Sequence, residues 1–195
     1  MIPGFATIST TNLAAFLDTT VLGMPLSTFT LLHVLISLAG IGSGLVVAYG
    51  LLTGQRLDRW TAFFLTTTIL TSATGYLFPV EHILPSHIVG AISLVVLAIA
   101  LVARYARHME GAWRSVYVIT AVIALYFNVF VLVAQSFLKI PALHALAPTQ
   151  KEPPFGIAQL LVLAIFIAIG IFAVKNFRSK ATVTSVETWK STKAS

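Results

Sequence analysis

Five long runs without a single Asp, Glu, Lys or Arg dominate this sequence and restrict what the chain can fold into. They are Phe29–Leu52, Trp60–Phe78, His87–Ala103, Val116–Leu138 and Phe155–Val174. A helix needs about 20 residues to cross a bilayer, and it satisfies its backbone hydrogen bonds internally. The runs therefore predict an all-α integral membrane protein with five transmembrane helices. The third run is the shortest and is expected to extend a residue or two into its basic flank.

The composition supports the same class of protein. Of the 195 residues, 57% are hydrophobic and 9% are charged, whereas a soluble domain carries about 25% charged residues. This balance excludes a water-soluble enzyme, a disordered chain and a nucleic-acid-binding domain, and it makes the lipid bilayer the expected partner. The absence of cysteine excludes disulfides, thiolate metal sites and iron–sulfur clusters.

The Lys and Arg residues predict an orientation. Ten of the 12 fall on one side of the five runs: Arg56, Arg59, Arg104, Arg107, Arg114, Lys175, Arg178, Lys180, Lys190 and Lys193. The other side holds Lys139 and Lys151. Because cytoplasmic loops carry the excess of basic residues, the amino terminus is expected outside a bacterial-type inner membrane and the carboxyl terminus in the cytoplasm.

This orientation divides the chain into three parts. Residues 1–26 form an outer segment, expected to be a short surface helix or cap, and residues 27–175 form the membrane domain. Residues 176–195 form a basic cytoplasmic tail. Trp60, Tyr105, Trp113 and Tyr117 are expected in an aromatic belt at the cytoplasmic interface.

The first and third runs begin with similar segments, which hint at two helical hairpins in tandem plus a fifth helix. His33 is followed by Ser37 in one segment, and His87 by Gly90 and Ser93 in the other. Parallel repeats of this kind occur in membrane proteins. Chance resemblance between apolar segments is an equal alternative.

Four of the five histidines map to the predicted outer side: His33, His82, His87 and His144. The first and third helices run in the same direction, so His33 and His87 lie near the same ends of two parallel helices. Small residues such as Gly40 and Gly90 share their faces and favour close helix packing. Both histidines are therefore expected to point into the bundle, where ionisable groups raise a functional hypothesis.

Three functional interpretations of these histidines compete. In the preferred one, His33 and His87 are axial ligands of haem b, and Gly40 and Gly90 leave room for its flat ring. In the second, a copper or zinc ion is bound by outer-side groups: His33, His82, His87, His144 and Glu81. In the third, the histidines form a proton relay or line a quinone or lipid site.

A purely structural role for the histidines is the fourth alternative. Helices that bear histidines near one face give the chain a general resemblance to small membrane cytochrome b subunits, without identifying a family. The resulting hypothesis is a small membrane protein that passes electrons from haem b to a partner or quinone. The alternative from another class is a non-catalytic membrane subunit of a larger assembly, or a lipid-binding protein. No independent catalytic activity is expected.

Three further features bear on the interior of the bundle. The hydroxyls of the second run, such as Thr67 and Thr74, are expected to bond back to their own helix. Asn128 is expected to form hydrogen bonds between helices. The loop from Lys139 to Phe155 carries four prolines and is expected to be an ordered cover over the outer helix ends.

Overall fold

The computed structural model describes residues 20–79 and 85–194, and of residues 85, 86 and 178–194 it describes the backbone. Most of the predicted outer segment 1–26 lies outside the described residues. Two of the candidate metal ligands, Glu81 and His82, also lie outside them.

A two-residue hairpin leads directly into the first helix. Strand β1 (Thr20–Val21) pairs antiparallel with β2 (Met24–Pro25). The turn between them holds Leu22 and Gly23 at φ values of 54° and 76°, the positive values that a type I′ hairpin turn requires at both central residues. The described part of the outer segment, expected to be a short surface helix or cap, is thus a hairpin, and Gly23 permits its tight turn.

Six helices follow within the described residues. They are α1 (Leu26–Thr53), α2 (Asp58–Gly75), α3 (Pro85–Leu101), α4 (Trp113–Lys139), α5 (Pro141–Leu146) and α6 (Pro153–Ala194). The five long helices coincide with the five apolar runs to within a few residues at most ends. The third helical segment extends three residues past the end of its run, slightly more than the one or two expected. A π-helical turn at Val102–Ala106 continues α3 to this point. α6 continues its helical backbone through the predicted tail.

Four helical segments among the described residues are long and apolar enough to cross a membrane: Leu26–Thr53, His87–Ala106, Trp113–Lys139 and Pro153–Phe177. The helix α2 is not one of them. It has 18 residues and begins at Asp58 and Arg59, and seven of its side chains carry hydroxyl groups. The chain is therefore mostly helical with four membrane-capable helices, and a fifth span is not confirmed.

Consecutive long helices run in opposite directions. α1, α3 and α6 begin at the end of the bundle where α2 and α4 end, as contacts between His33 and Thr74 and between Asn176 and Leu52 require. We call the first end the histidine end, because it carries His33 and His87. The opposite end, which carries Arg104, is the arginine end.

The tightest packing lies between the middle of the bundle and the arginine end. Phe64 of α2 and Tyr117 and Leu125 of α4 are each 1% exposed. Gly44 of α1 makes this approach possible, since a Cβ atom there would lie 2.5 Å from Leu125 Cδ1 and 2.8 Å from Phe64 Cε2. A side chain at position 44 would therefore push α1 away from both neighbours.

The outer surface of the bundle is strongly apolar. On α6, Ile157, Leu160 and Leu161 are each more than 60% exposed, although α6 packs along α4 and α1. Water disfavours such a continuous apolar face, whereas lipid tails do not. The surface is compatible with contact to a lipid bilayer.

Candidate cofactor cavity

Helices α1 to α4 line a partly open cavity of about 600 Å³ at the histidine end. Its walls combine apolar side chains with hydroxyl, imidazole and amide groups. The polar residues that line it are Thr30, His33, Ser37, Thr71, Ser72, Tyr76, His87, Ser93, Asn128, Gln135, Ser136 and Lys139. Both histidines preferred in the sequence analysis therefore line one cavity.

His33 is held by contacts to α2 and to the segment that follows it. Its Nδ1 atom lies 2.8 Å from Thr74 Oγ1. The edge of its ring packs against Phe78, with ring centroids 5.1 Å apart and planes at 88°. Because α2 ends at Gly75, Thr74 lies in the last turn of this helix, and its hydroxyl contacts His33 near the start of α1.

His87 lies at the start of α3 beside Tyr76, which follows α2. The Tyr76 hydroxyl donates a hydrogen bond of 2.6 Å to the carbonyl oxygen of His87. The two rings are tilted at 59° with centroids 5.5 Å apart. Tyr76 thus joins α2 to α3 at the mouth of the cavity, and it fixes the backbone that carries the His87 imidazole.

The two glycines expected to make room for a cofactor differ in their surroundings. Gly90 lines the cavity, where a Cβ atom would lie 3.3 Å from Tyr76 Oη. Gly40 packs against other helices, with Thr67 Oγ1 3.3 Å and Asn128 Nδ2 3.6 Å from its Cβ position. Gly90 therefore makes room for Tyr76 at the cavity, and Gly40 allows close packing of α1 with α2 and α4.

The inner part of the cavity is polar. Ser72 and Ser93 lie on its wall with their hydroxyl oxygens 3.4 Å apart. Asn128 donates a hydrogen bond of 3.1 Å to Thr68 Oγ1, which confirms the expected role of Asn128 in joining helices. Thr71 Oγ1 is buried, and the described residues give it no hydrogen-bond partner. Because an unsatisfied buried hydroxyl costs about 1–3 kcal/mol, a bound ligand that contacts Thr71 would gain stability.

Lys139 is the feature of this cavity that the sequence analysis did not assign to it. The residue ends α4 and lines the cavity, and it is exposed. Its ammonium group therefore supplies positive charge at the same end of the bundle as the two histidines. The sequence predicted only that Lys139 lies on the outer side. Which side chains of α4 reach the cavity depends on the register of α4 against α1, which the sequence does not show.

The metal-ion hypothesis involves residues that the structure places apart or does not describe. His144 lies on α5, is exposed, and is not among the residues that line the cavity. Among the side chains that the structure describes, at residues 20–79 and 87–177, no group of three or more His, Asp or Glu residues could hold a metal ion. The described residues therefore bring His33 and His87 to one cavity without a third ligand of these types.

The loop between α5 and α6 is ordered around Glu152. Its carboxylate accepts hydrogen bonds from the Thr149 hydroxyl at 2.8 Å and from the Lys151 backbone N–H at 3.1 Å. Desolvation raises the pKa of Glu152, but the hydrogen bonds from Thr149 and Lys151 outweigh it and hold the pKa below its usual range. The carboxylate thus organises the turn that leads into α6.

The arginine end is closed by a second polar cluster that sequence reasoning missed. Arg104 is 6% exposed, forms an ion pair with Asp58, and lies with its guanidinium 5.0 Å from the centre of the Tyr117 ring. Tyr117 is buried and donates a hydrogen bond of 3.3 Å to Thr61 Oγ1, so its expected place in an aromatic belt is wrong. A basic residue beside an apolar run normally indicates a solvated flank, and only the π-helical turn brings Arg104 inward.

The fold and the cavity define the class of this protein. It is a helical chain with four membrane-capable helices among its described residues and a mostly apolar cavity with several polar groups at one end of the bundle. No protein-family model, curated protein or solved structure matches the chain.

Proposed function

We propose that this chain is a five-helix integral membrane protein that holds haem b in the cavity at its histidine end and passes electrons to a partner or quinone. His33 and His87 would provide the axial ligands. The observation that carries the proposal is that both histidines line a single cavity of about 600 Å³. Cofactor sites commonly have volumes of about 300–1,000 Å³ and are largely apolar with a few polar groups.

The residues around the cavity fit this cofactor in three respects. Apolar side chains such as Phe127 and Val131 line the cavity and suit a flat hydrophobic ring. Neutral imidazole is a standard haem ligand, and His33 Nδ1 is already engaged with Thr74. Lys139 offers a cation for an acidic substituent at the cavity mouth. When bound, haem b would supply one-electron transfer, and the protein would supply its ligands and an apolar surface for its ring.

The charges at the two ends of the bundle support the orientation predicted from the sequence, with the amino terminus outside. The arginine end carries Arg56, Arg59, Arg107 and Lys175, whereas the described part of the histidine end carries Lys139 and Lys151. The positive-inside rule therefore supports a bacterial-type inner membrane with the cavity near the outer leaflet. In this arrangement α2 would span the bilayer with four of its hydroxyl side chains, those of Thr61, Thr67, Thr68 and Ser72, buried in the bundle.

The first test is an absorption spectrum of the full chain, purified in mild detergent from cells supplied with a haem precursor. We expect a Soret band and sharp α and β bands on reduction. The variants His33→Ala and His87→Ala should each lose these bands, because each removes one axial ligand. The matched controls His108→Ala and His144→Ala should keep them, since both residues are exposed and neither lines the cavity.

Two results would contradict the haem proposal. One is normal haem content in both His33→Ala and His87→Ala. The other is a flat spectrum from folded protein that also fails to bind added haem. A stoichiometric copper or zinc ion in that protein would instead support the metal-ion function through His33, His82, His87, His144 and Glu81.

A second candidate function is the binding of an amphiphilic lipid or quinone in the same cavity. The buried Thr71 hydroxyl, which has no partner among the described residues, favours a ligand with a hydrogen-bonding head. Extraction of the purified protein with organic solvent, followed by mass spectrometry, would detect such a ligand. A stoichiometric quinone or lipid without haem would favour this function, and stoichiometric co-purifying chains would favour a subunit of a larger assembly.

A further inference from the structure

The hydrogen bonds around Thr74 indicate which ring nitrogen of His33, a residue that lines the cavity, carries the proton. Thr74 Oγ1 lies 2.6 Å from the carbonyl oxygen of Leu70 and 3.3 Å from that of Thr71. It also lies 2.8 Å from His33 Nδ1. One hydroxyl oxygen therefore has three neighbours but only one proton to donate.

A count of protons assigns the direction of each bond. A carbonyl oxygen can only accept, and the Leu70 oxygen lies nearest to the hydroxyl. The Thr74 hydroxyl therefore donates to Leu70, in the back-bonded geometry that threonine adopts within helices. The contact with His33 is then a hydrogen bond only if Nδ1 carries a proton and donates it to Thr74 Oγ1.

A second threonine of α2, Thr67, also donates its hydroxyl hydrogen bond to a carbonyl oxygen four residues earlier in the helix. The acceptor is the carbonyl oxygen of Phe63, at 2.8 Å. Thr67 and Thr74 differ in their neighbours, since Thr74 has an imidazole against it. Thr74 is therefore the hydroxyl of α2 that the described structure pairs with a histidine ring.

We infer that Thr74 is a positioning residue that holds neutral His33 as the Nδ1–H tautomer and thereby leaves the Nε2 lone pair to bind a ligand in the cavity. Neutral imidazole carries one ring proton, so a proton on Nδ1 requires an unprotonated Nε2. The edge contact with Phe78 limits rotation of the ring. The identity of the ligand as haem iron rests on the proposed function, whereas the tautomer does not.

The hydrogen bond from His33 Nδ1 to Thr74 Oγ1 resembles the one that positions a metal-ligating histidine. Such histidines donate their other ring N–H to a protein oxygen, and loss of that partner typically lowers metal affinity by about 10–100-fold. Thr74→Val keeps the shape of the side chain and removes the acceptor oxygen. We expect this variant to bind haem about tenfold more weakly and to have a higher midpoint potential, because His33 becomes a less basic ligand.

The first experiment measures the tautomer without any cofactor. The full chain is labelled with ¹⁵N-histidine, reconstituted without haem in bicelles, and studied by NMR at a pH at which imidazole is neutral. His33→Gln assigns the resonances. We expect the wild type and Thr74→Ser to show a protonated Nδ1 and an unprotonated Nε2. Thr74→Val should shift His33 toward the other tautomer.

The matched control is Thr66→Val, which changes an exposed threonine of the same helix and should leave the His33 resonances unchanged. An Nε2–H tautomer in the wild type would overturn the inference, and so would identical spectra for the wild type and Thr74→Val. These outcomes are independent of haem. If the tautomer is as inferred and no haem binds, the proposed function fails while the positioning role of Thr74 stands.

The second experiment measures haem binding by the same variants. A midpoint potential that rises in Thr74→Val and returns in Thr74→Ser supports a positioning role, since a purely structural defect would not be tuned by the hydroxyl. Unchanged haem affinity and potential in Thr74→Val would overturn the role of Thr74 toward the haem ligand.

Discussion

The two ends of the bundle use polar residues in opposite ways. At the arginine end, Arg104 contacts both Asp58 and Tyr117, and the small pocket beside them has no room for a water molecule. At the histidine end, His33 and His87 are partly buried beside about 600 Å³ of space. Polar groups that satisfy one another act as a clamp between helices. Polar groups that surround a cavity leave hydrogen-bonding capacity for a ligand.

The largest expected difference is in the free energy of unfolding, when a valine of α4 is replaced by phenylalanine either near the arginine end or at the cavity. Val118→Phe adds volume at a fully buried position near the arginine end, whereas Val131→Phe adds it at the cavity. Overpacking a filled core costs about 1–3 kcal/mol, so Val118→Phe should lower the free energy of unfolding by about 3 kcal/mol. Val131→Phe should change it by less than about 1 kcal/mol and reduce ligand binding. Equal losses in steric-trapping measurements would show that the cavity is not open space.

A pair of glycines on α1 tests how closely the helices approach. Gly44→Ala should lower the free energy of unfolding by about 2 kcal/mol, because its Cβ would overlap Leu125 and Phe64. Gly42→Ala is the matched control, since nothing lies within 4 Å of its Cβ position. The prediction fails if the two variants unfold at the same free energy.

The clamp at the arginine end should also depend on the shape of its cation. Arg104→Lys keeps the charge beside Asp58 but loses the planar group that lies over Tyr117. We expect a loss of about 1 kcal/mol, within the range for desolvated cation–π contacts. The control is Arg59→Lys at an exposed position. A similar loss in both variants would argue against a specific contact with Tyr117.

The smallest expected effect is a pH dependence of the loop near the histidine end. The folded pKa of Glu152 lies below its usual range, so its contribution to loop order is present above the unfolded pKa and lost as pH falls through the folded pKa. Amide exchange at Thr149 and Lys151, corrected for the intrinsic rate, should therefore accelerate relative to the rest of the chain in acid. Glu152→Gln should show the acid behaviour at neutral pH. Exchange that is independent of pH after correction would contradict this account.

The sequence predicted the long helices because the free energy of transferring a segment into lipid depends on the residues of that segment alone. A long apolar run is therefore sufficient evidence for such a helix. The sequence also predicted hydrogen bonding by Asn128, because a buried amide in a bundle needs a partner. It did not predict that Arg104 turns inward or that Lys139 lines the cavity. The position of Arg104 depends on the π-helical turn that contains it, and that of Lys139 depends on the register between helices, which no single run of residues encodes. The expected belt position of Tyr117 failed for the same reason.

The hydroxyl-rich composition of α2 has a consequence for biogenesis. Seven hydroxyl side chains and an amino-terminal Asp58 make α2 less favourable in lipid than its neighbours, whereas α1 presents a surface that fits it closely through Gly40 and Gly44. If the chain adopts the proposed five-helix membrane arrangement, we expect the translocon to release α1 and α2 into the membrane together as a hairpin, with α2 alone failing to integrate. A microsomal insertion assay on α2 with and without α1 would measure this dependence, which would make the nascent first helix a template for the second.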